Sequence, residues 1–184
     1  MRKKNQHDHT ADQSLPKLGV RPYLDLMEKT ASSDTNKHSA YMGLLMVWLS
    51  DNILDVVDVD LAAYNITESK FDLLLLLTLH EGKELITPSA IADRLGIRRA
   101  SVTALLDWLE KRNWISREQS STDRRMVHVR ITTEGRALVE AVLPTFWSTC
   151  SSLVSELEPD EQQVFEKVLI KLNSVIENRL GVGK

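Results

Sequence analysis

The side chains best suited to recognition chemistry are four arginines in two adjacent pairs, Arg98-Arg99 and Arg124-Arg125. A guanidinium carries a fixed charge and a fork of donors, so it can bond phosphate or the edge of a guanine. Small and hydroxylic residues follow the first pair: Ala100, Ser101, Thr103 and Ala104. Short side chains let a helix approach a grooved partner closely. The implied chemistry is binding, not bond-making. The sequence holds no Gly-rich phosphate loop, no His/Cys metal spacing and no Ser-x-x-Lys or Gly-x-Ser-x-Gly elbow. Its carboxylates pair with no pocket that the sequence can point to. No catalytic residue and no cofactor is assigned, and an enzyme is not expected.

The elements that must hold these residues follow from local signals. Thr87 can cap a helix through its hydroxyl, and Pro88 suits the first helical position, where no N–H is needed. Ile91 and Leu95 share one face, and Gly96 can adopt the left-handed conformation that ends the helix. A second helix is expected over Arg98–Arg112. Its apolar stripe is Val102, Leu105, Leu106 and Leu109; its opposite face carries Arg99, Ala100, Thr103, Ala104, Asp107 and Lys111. Two short strands should follow, Trp114–Arg117 and Met126–Ile131, with Val127, Val129 and Ile131 on one side and Met126, His128 and Arg130 on the other. Between them lies the polar tip Glu118–Arg125, whose paired arginines can reach a minor groove, where the potential is negative. Two helices about a tight turn followed by such a ribbon make a winged helix-turn-helix, with the second helix laid nose-first into a DNA major groove.

The segment LEKRNWISREQSSTDRRMVHVRITTEG resembles the helix-to-wing region of the MarR family of bacterial transcriptional repressors, at Leu109, Glu110, Lys111, Arg112, Ile115, Asp123, Arg125, Ile131, Thr132 and Gly135. Trp114 and Leu143-Pro144 are most similar to its efflux-pump repressors of MprA/EmrR type. The likeness covers roughly residues 37–180 in architecture and residues 87–135 in specific motif. It implies a mainly α fold with a small β-wing, in which a winged helix-turn-helix at about 66–132 is flanked by dimerisation helices at about 37–63 and 133–180. Residues 1–36 would then be a flexible arm and lead-in to a domain over 37–184. It also implies a homodimer on a pseudo-palindromic duplex operator, released by a small apolar or phenolic effector. Arg125 would enter the minor groove, oriented by Asp123, while Arg124 meets phosphate or sugar. Two departures stand out. Arg98 occupies a position where the family has a Ser or Thr cap, and Asn113 replaces Gly, a mild change because Asn tolerates the left-handed conformation.

The net charge is −3, yet Arg94–Arg130 carries nine Lys/Arg against four Asp/Glu, a net of +5 that leaves −8 on the remainder. A basic module on an acidic body suits a site-specific DNA binder. The opening Met-Arg-Lys-Lys precedes polar residues, without the apolar core of a secretory signal, and no apolar run approaches a membrane span. A cytoplasmic location is expected.

Elsewhere, residues 1–20 read as a mobile polar tail whose His7-Asp8-His9 is weak evidence for a metal site. Arg21–Met27 reads as a short lead-in, and His38–Ala63 as a long helix with a solvated acidic end at Asp51, Asp55, Asp58 and Asp60. Thr67 should cap a buried helix built on Phe71 and Leu73–Leu77, with Gly82 at its end. Leu85-Ile86 can pair with the wing. Thr132 should cap a helix running to about Glu156 and kinked at Pro144, with small residues at Ser148–Ser152. Pro159 opens a last helix with a stripe at Val164, Val168, Leu172, Val175, Ile176 and Leu180, which needs a partner, and a second copy is the natural one. Met42, Met46, Trp48, Phe146 and Trp147 have the chemistry to line an effector pocket or to be ordinary core. Two other readings stay open: a winged-helix module for protein partners alone, and a redox sensor built on Cys150. The paired arginines argue against the first. The Ser/Thr neighbours of Cys150, with nothing basic beside it, argue against the second.

Overall fold

Apolar residues at helical spacing through most of the chain fold into seven helices and one short sheet among the residues described by the computed structural model, which are 19–83, 85–119 and 126–181. In chain order these are α1 (Arg21–Thr30), α2 (Lys37–Leu61), a 3-10 turn (Ala62–Tyr64), α3 (Glu68–Leu79), α4 (Pro88–Leu95), α5 (Arg99–Glu110), β1 (Ile115–Gln119), β2 (Val127–Ile131), α6 (Thr133–Ser152) and α7 (Pro159–Leu180). The chain divides into two compact units, one up to Asn52 and one from Ile53 onward.

In the first unit, α1 buries no residue, and Lys37 reaches back to pair with Glu28 at 2.7 Å. The second unit is organised around α3. Phe71, Leu73, Leu74 and Leu77 are buried, as the apolar run over its whole circumference requires. Against it pack Leu61, Ile91, Val102, Leu106, Leu109, Ile115, Val139 and Val142 in one continuous core. β1 and β2 pair antiparallel, with Ile115 opposite Ile131 and Arg117 opposite Val129. The Leu85-Ile86 expectation is met by a single bridge, in which the Val129 N–H donates to the Ile86 carbonyl at 2.8 Å.

Four local readings need correction. Thr67 sits at the N-cap of α3, but its hydroxyl makes no capping bond; it accepts from Lys70 Nζ at 2.7 Å. The capping acceptor is the Asp58 carboxylate, which takes the Glu68 N–H at 2.6 Å. The acidic end of α2 is therefore not simply solvated: Asp58 holds α3, and the buried Thr149 hydroxyl of α6 donates to Asp60 at 2.6 Å. Helix α6 runs through Pro144 but stops at Ser152, where turn bonds such as Ser155 N–H to the Ser152 carbonyl, 3.3 Å, replace helical ones. Gly82 lies in the left-handed turn after α3, whose last helical residue is already Leu79. The histidine pair at 7–9 lies outside the described residues.

α7 buries no residue at all. Val164, Val168, Val175 and Ile176 are between 44% and 61% exposed. No described helix is long and apolar enough to cross a membrane.

Candidate nucleic-acid interface

The helix-turn-helix is built as its local signals dictate. Thr87 Oγ1 accepts the Ala90 N–H at 3.2 Å, Pro88 opens α4, and Gly96 closes it at φ 64°. The Ile97 N–H returns to the Ala92 carbonyl at 3.1 Å, which turns the chain sharply into α5. Val102, Leu106 and Leu109 are buried and fix the roll of α5 about its axis. That roll leaves Arg98, Arg99, Ala100, Ser101, Thr103, Ala104 and Asp107 exposed together along one face. Arg98 is the N-cap and supplies no side-chain bond there, so the first N–H groups of α5 lack a side-chain acceptor at their own cap. An anion brought to this end would meet those donors, the helix dipole and two guanidiniums at once. Thr103 Oγ1 donates to the Arg99 carbonyl at 3.1 Å, leaving its lone pairs available outward.

Most of the described cations around this face are committed to protein partners. Arg112 lies over the Trp108 ring at 3.5 Å, and Trp108 meets Trp114 edge-on at 5.5 Å. Arg130 pairs with Glu118 at 3.2 Å. Arg117, on β1, bonds Glu110 through Nε at 2.9 Å and again through Nη2, and its Nη2 also reaches Asp107 at 2.7 Å. The pairing holds the Glu110 carboxyl below its usual range, chiefly through the hydrogen bonds from Arg117. Arg98 and Arg99 make no ion pair among the described residues.

The ribbon is anchored at its base. Asn113 takes the left-handed conformation at φ 65°, the task expected of it in place of Gly. Thr132 Oγ1 donates to the Asn113 carbonyl at 2.6 Å, and the Thr132 N–H donates to the Trp114 carbonyl at 3.1 Å. The same Thr132 oxygen accepts the Gly135 N–H at 3.0 Å and so caps α6. His128 lies on the Arg130 side of β2 yet is buried, and its Nδ1 has no partner among the described residues.

The sequence-derived DNA set is thus brought together for Arg98, Arg99, Ser101, Thr103 and Ala104, on one exposed face. Asp123, Arg124 and Arg125 lie outside the described residues. What the sequence did not single out is Arg117 as the partner of Asp107 and Glu110; the signal was present, because carboxylates three apart on a helix share a face. Of the effector candidates, Met42 and Met46 are exposed and Trp48 half-buried in the first unit. In the second, Phe146 packs edge-on against Phe71 at 5.3 Å, and Trp147 is 59% exposed. Cys150 is a half-buried free thiol.

A family model described as "MarR family" matches residues 66–127. The transcriptional repressor MprA of Escherichia coli (strain K12) is 32% identical over 133 residues, which cover 72% of this chain and 75% of that protein. The HTH-type transcriptional repressor YetL of Bacillus subtilis (strain 168) is 29% identical over 143 residues, covering 77% of this chain and 83% of YetL. Among solved structures, the Staphylococcus aureus MepR–DNA complex aligns with a TM-score of 0.64 at 28% identity, over 72% of this chain and 96% of that one. A MarR variant from E. coli complexed with operator DNA gives a TM-score of 0.64 at 25% identity, over 76% and 99%.

Proposed function

This chain belongs to the MarR family of transcriptional regulators, and on that premise we propose that it is a cytoplasmic homodimeric repressor that binds a pseudo-palindromic DNA operator. Each copy lays α5 into a major groove, with Arg98, Arg99, Ser101, Thr103 and Ala104 against base edges and phosphates. The two recognition helices then sit about one helical turn apart, about 34–36 Å. Arg124 and Arg125, with Asp123, serve the adjoining backbone and minor groove. The observation that carries the reading is the open face of α5: two uncommitted arginines and a run of small residues, held outward by three buried aliphatics on the reverse. Support for the dimer comes from α7, whose Val164, Val168, Val175 and Ile176 stay largely exposed unless a second copy covers them. Release by a small apolar or phenolic effector requires that the effector prefer a spacing of the two α5 helices that DNA does not accept.

The test combines sedimentation with selection of duplexes from a random-sequence pool. A dimer that enriches a two-fold-symmetric sequence is the expected result, with Arg99→Ala shifting the enriched bases. A monomer that binds, or a dimer that enriches nothing at low salt, would refute the proposal.

A further inference from the structure

We propose that Arg117 is a positioning residue: with Asp107 and Glu110 it clamps the β-ribbon to the recognition helix and sets the angle between wing and helix on DNA. The inference rests on the operator-binding reading above. Asp107 lies one turn beyond Thr103 on the exposed side of α5, and Glu110 three residues further along. Two carboxylates there repel each other and, in the operator-binding pose, stand close to phosphates. One guanidinium between them leaves a net negative charge. Affinity for DNA would be better served by neutral residues, so the pair must do something else.

The geometry says what. Arg117 belongs to β1, directly opposite Val129 of β2, and Val129 is itself bonded to the Ile86 carbonyl. Its Nε and Nη2 both meet Glu110 Oε2, and Nη2 also meets Asp107 Oδ1 at 2.7 Å. A planar donor fork engaged by two acceptors on successive turns of one helix cannot pivot without breaking a bond. The Arg117 side chain is 28% exposed, so solvent weakens the network without dissolving it. Arg117 also stands two residues before the end of β1 at Gln119, so a small rotation at the clamp is carried along the strand. A single exposed ion pair contributes little to stability; a triad joining two elements that must reach neighbouring grooves together contributes geometry.

Charge and position make opposite predictions for Asp107→Asn combined with Glu110→Gln. By charge alone, removing two negative groups beside phosphate tightens DNA binding. By position, it frees the ribbon. The probe is a duplex selected by the wild-type protein from a random pool. Affinity is measured at fixed salt, alongside hydroxyl-radical cleavage, which reads the minor-groove sugars, and guanine N7 methylation, which reads the major groove. The double variant is expected to bind about ten- to a hundredfold more weakly, the range of a lost groove contact. Flanking minor-groove protection should be lost and N7 protection kept. Arg117→Lys keeps the charge but not the fork, and the same split footprint is expected. Thermal unfolding of each variant within a few degrees of wild type is expected, because the triad is a surface network. Binding as tight as wild type or tighter, with the full footprint in both variants, would overturn the clamp. A wild-type protein that selects no duplex would overturn the operator reading and the clamp with it.

Discussion

Gly135 offers the sharpest test of how α6 is seated against the DNA-binding module. It lies in the first turn of α6 and donates its N–H to Thr132 Oγ1. A methyl group built on its Cα would lie 2.1 Å from the Trp114 carbonyl oxygen and 2.8 Å from Ile131 Cγ1. Ordinary carbon–oxygen contacts begin at about 3.3 Å, so α6 and the Trp114 peptide must part by about 1 Å. Trp114 cannot rotate its carbonyl away. That oxygen already accepts the Thr132 N–H, and the preceding Asn113 is fixed in the left-handed conformation. Parting the two segments therefore strains both the Thr132–Asn113 and the Thr132–Trp114 hydrogen bonds. Overpacking at a rigid site costs about 1–3 kcal/mol, and each weakened hydrogen bond about 1 kcal/mol. The higher helix propensity of Ala returns up to about 1 kcal/mol. Gly135→Ala should thus destabilise the protein by about 2–4 kcal/mol, a large part of the roughly 5–15 kcal/mol typical of a domain. Urea denaturation at fixed protein concentration reads this as a lower midpoint at unchanged slope. Gly43→Ala is the control. It is helical, and nothing lies within 4 Å of its new methyl, so it should gain about 0.5–1 kcal/mol. A loss below about 0.5 kcal/mol at Gly135 would refute the packing argument; a loss at Gly43 would mean that another chain lies against that face.

Two further outcomes follow from the start of α3. Asp58→Ala removes the acceptor of the Glu68 N–H and should cost about 1 kcal/mol, whereas Thr67→Ala should cost less, because that hydroxyl makes no capping bond. Equal losses in urea denaturation would return the cap to Thr67. Glu68 itself is held above the ordinary carboxyl range, first by burial and then by the neighbouring charges of Asp72 and Asp58. A carboxyl whose pKa is raised by folding binds more protons folded than unfolded, so the stability it carries is lost as pH rises from the unfolded value through the folded one. Glu68→Gln should therefore be more stable than wild type at pH 7 and equal to it below that window, as denaturation midpoints at the two pH values will show. The same difference at both would remove ionisation as the cause.

The parts of the fold legible in the sequence are those whose cause is local. Thr87, Pro88 and Gly96 mark α4 because a cap, a first-turn proline and a left-handed glycine act within four residues of chain. The stripe of α5 is legible for the same reason, and with it the exposure of Arg99 and Thr103. Where a partner lies far along the chain, the signal fails. Asp58 and Asp60 read as solvated acids because nothing nearby shows that Glu68 and Thr149 will come to meet them. Thr67 has the right residue type at the right place, yet loses the capping role to Asp58, nine residues earlier. Helix α6 stops short of Glu156 within a segment whose residues offer no Gly or Pro before Pro159. Gly135 shows the converse. Its place in the family pattern was visible, but only the approach of the Trp114 backbone explains why a side chain is excluded there.

The surplus of Lys and Arg over residues 94–130 suggests a broad basic surface, but a cation paired with a carboxylate displaces few counterions from DNA. Arg117 and Arg130 are spent on Asp107, Glu110 and Glu118; Arg112 is stacked on Trp108; Arg94 too has a partner. Of the described cations in this stretch, that leaves Arg98 and Arg99 at the tip of α5 and Lys111 at its far end without one. The described residues of the module therefore do not present a uniform positive face. Among the described residues, its two unpartnered arginines lie together at the helix terminus whose own dipole is already positive, in front of the small residues that permit close approach. On the proposed operator reading, that tip is where base edges would be met, which is how a chain of net negative charge would read DNA selectively.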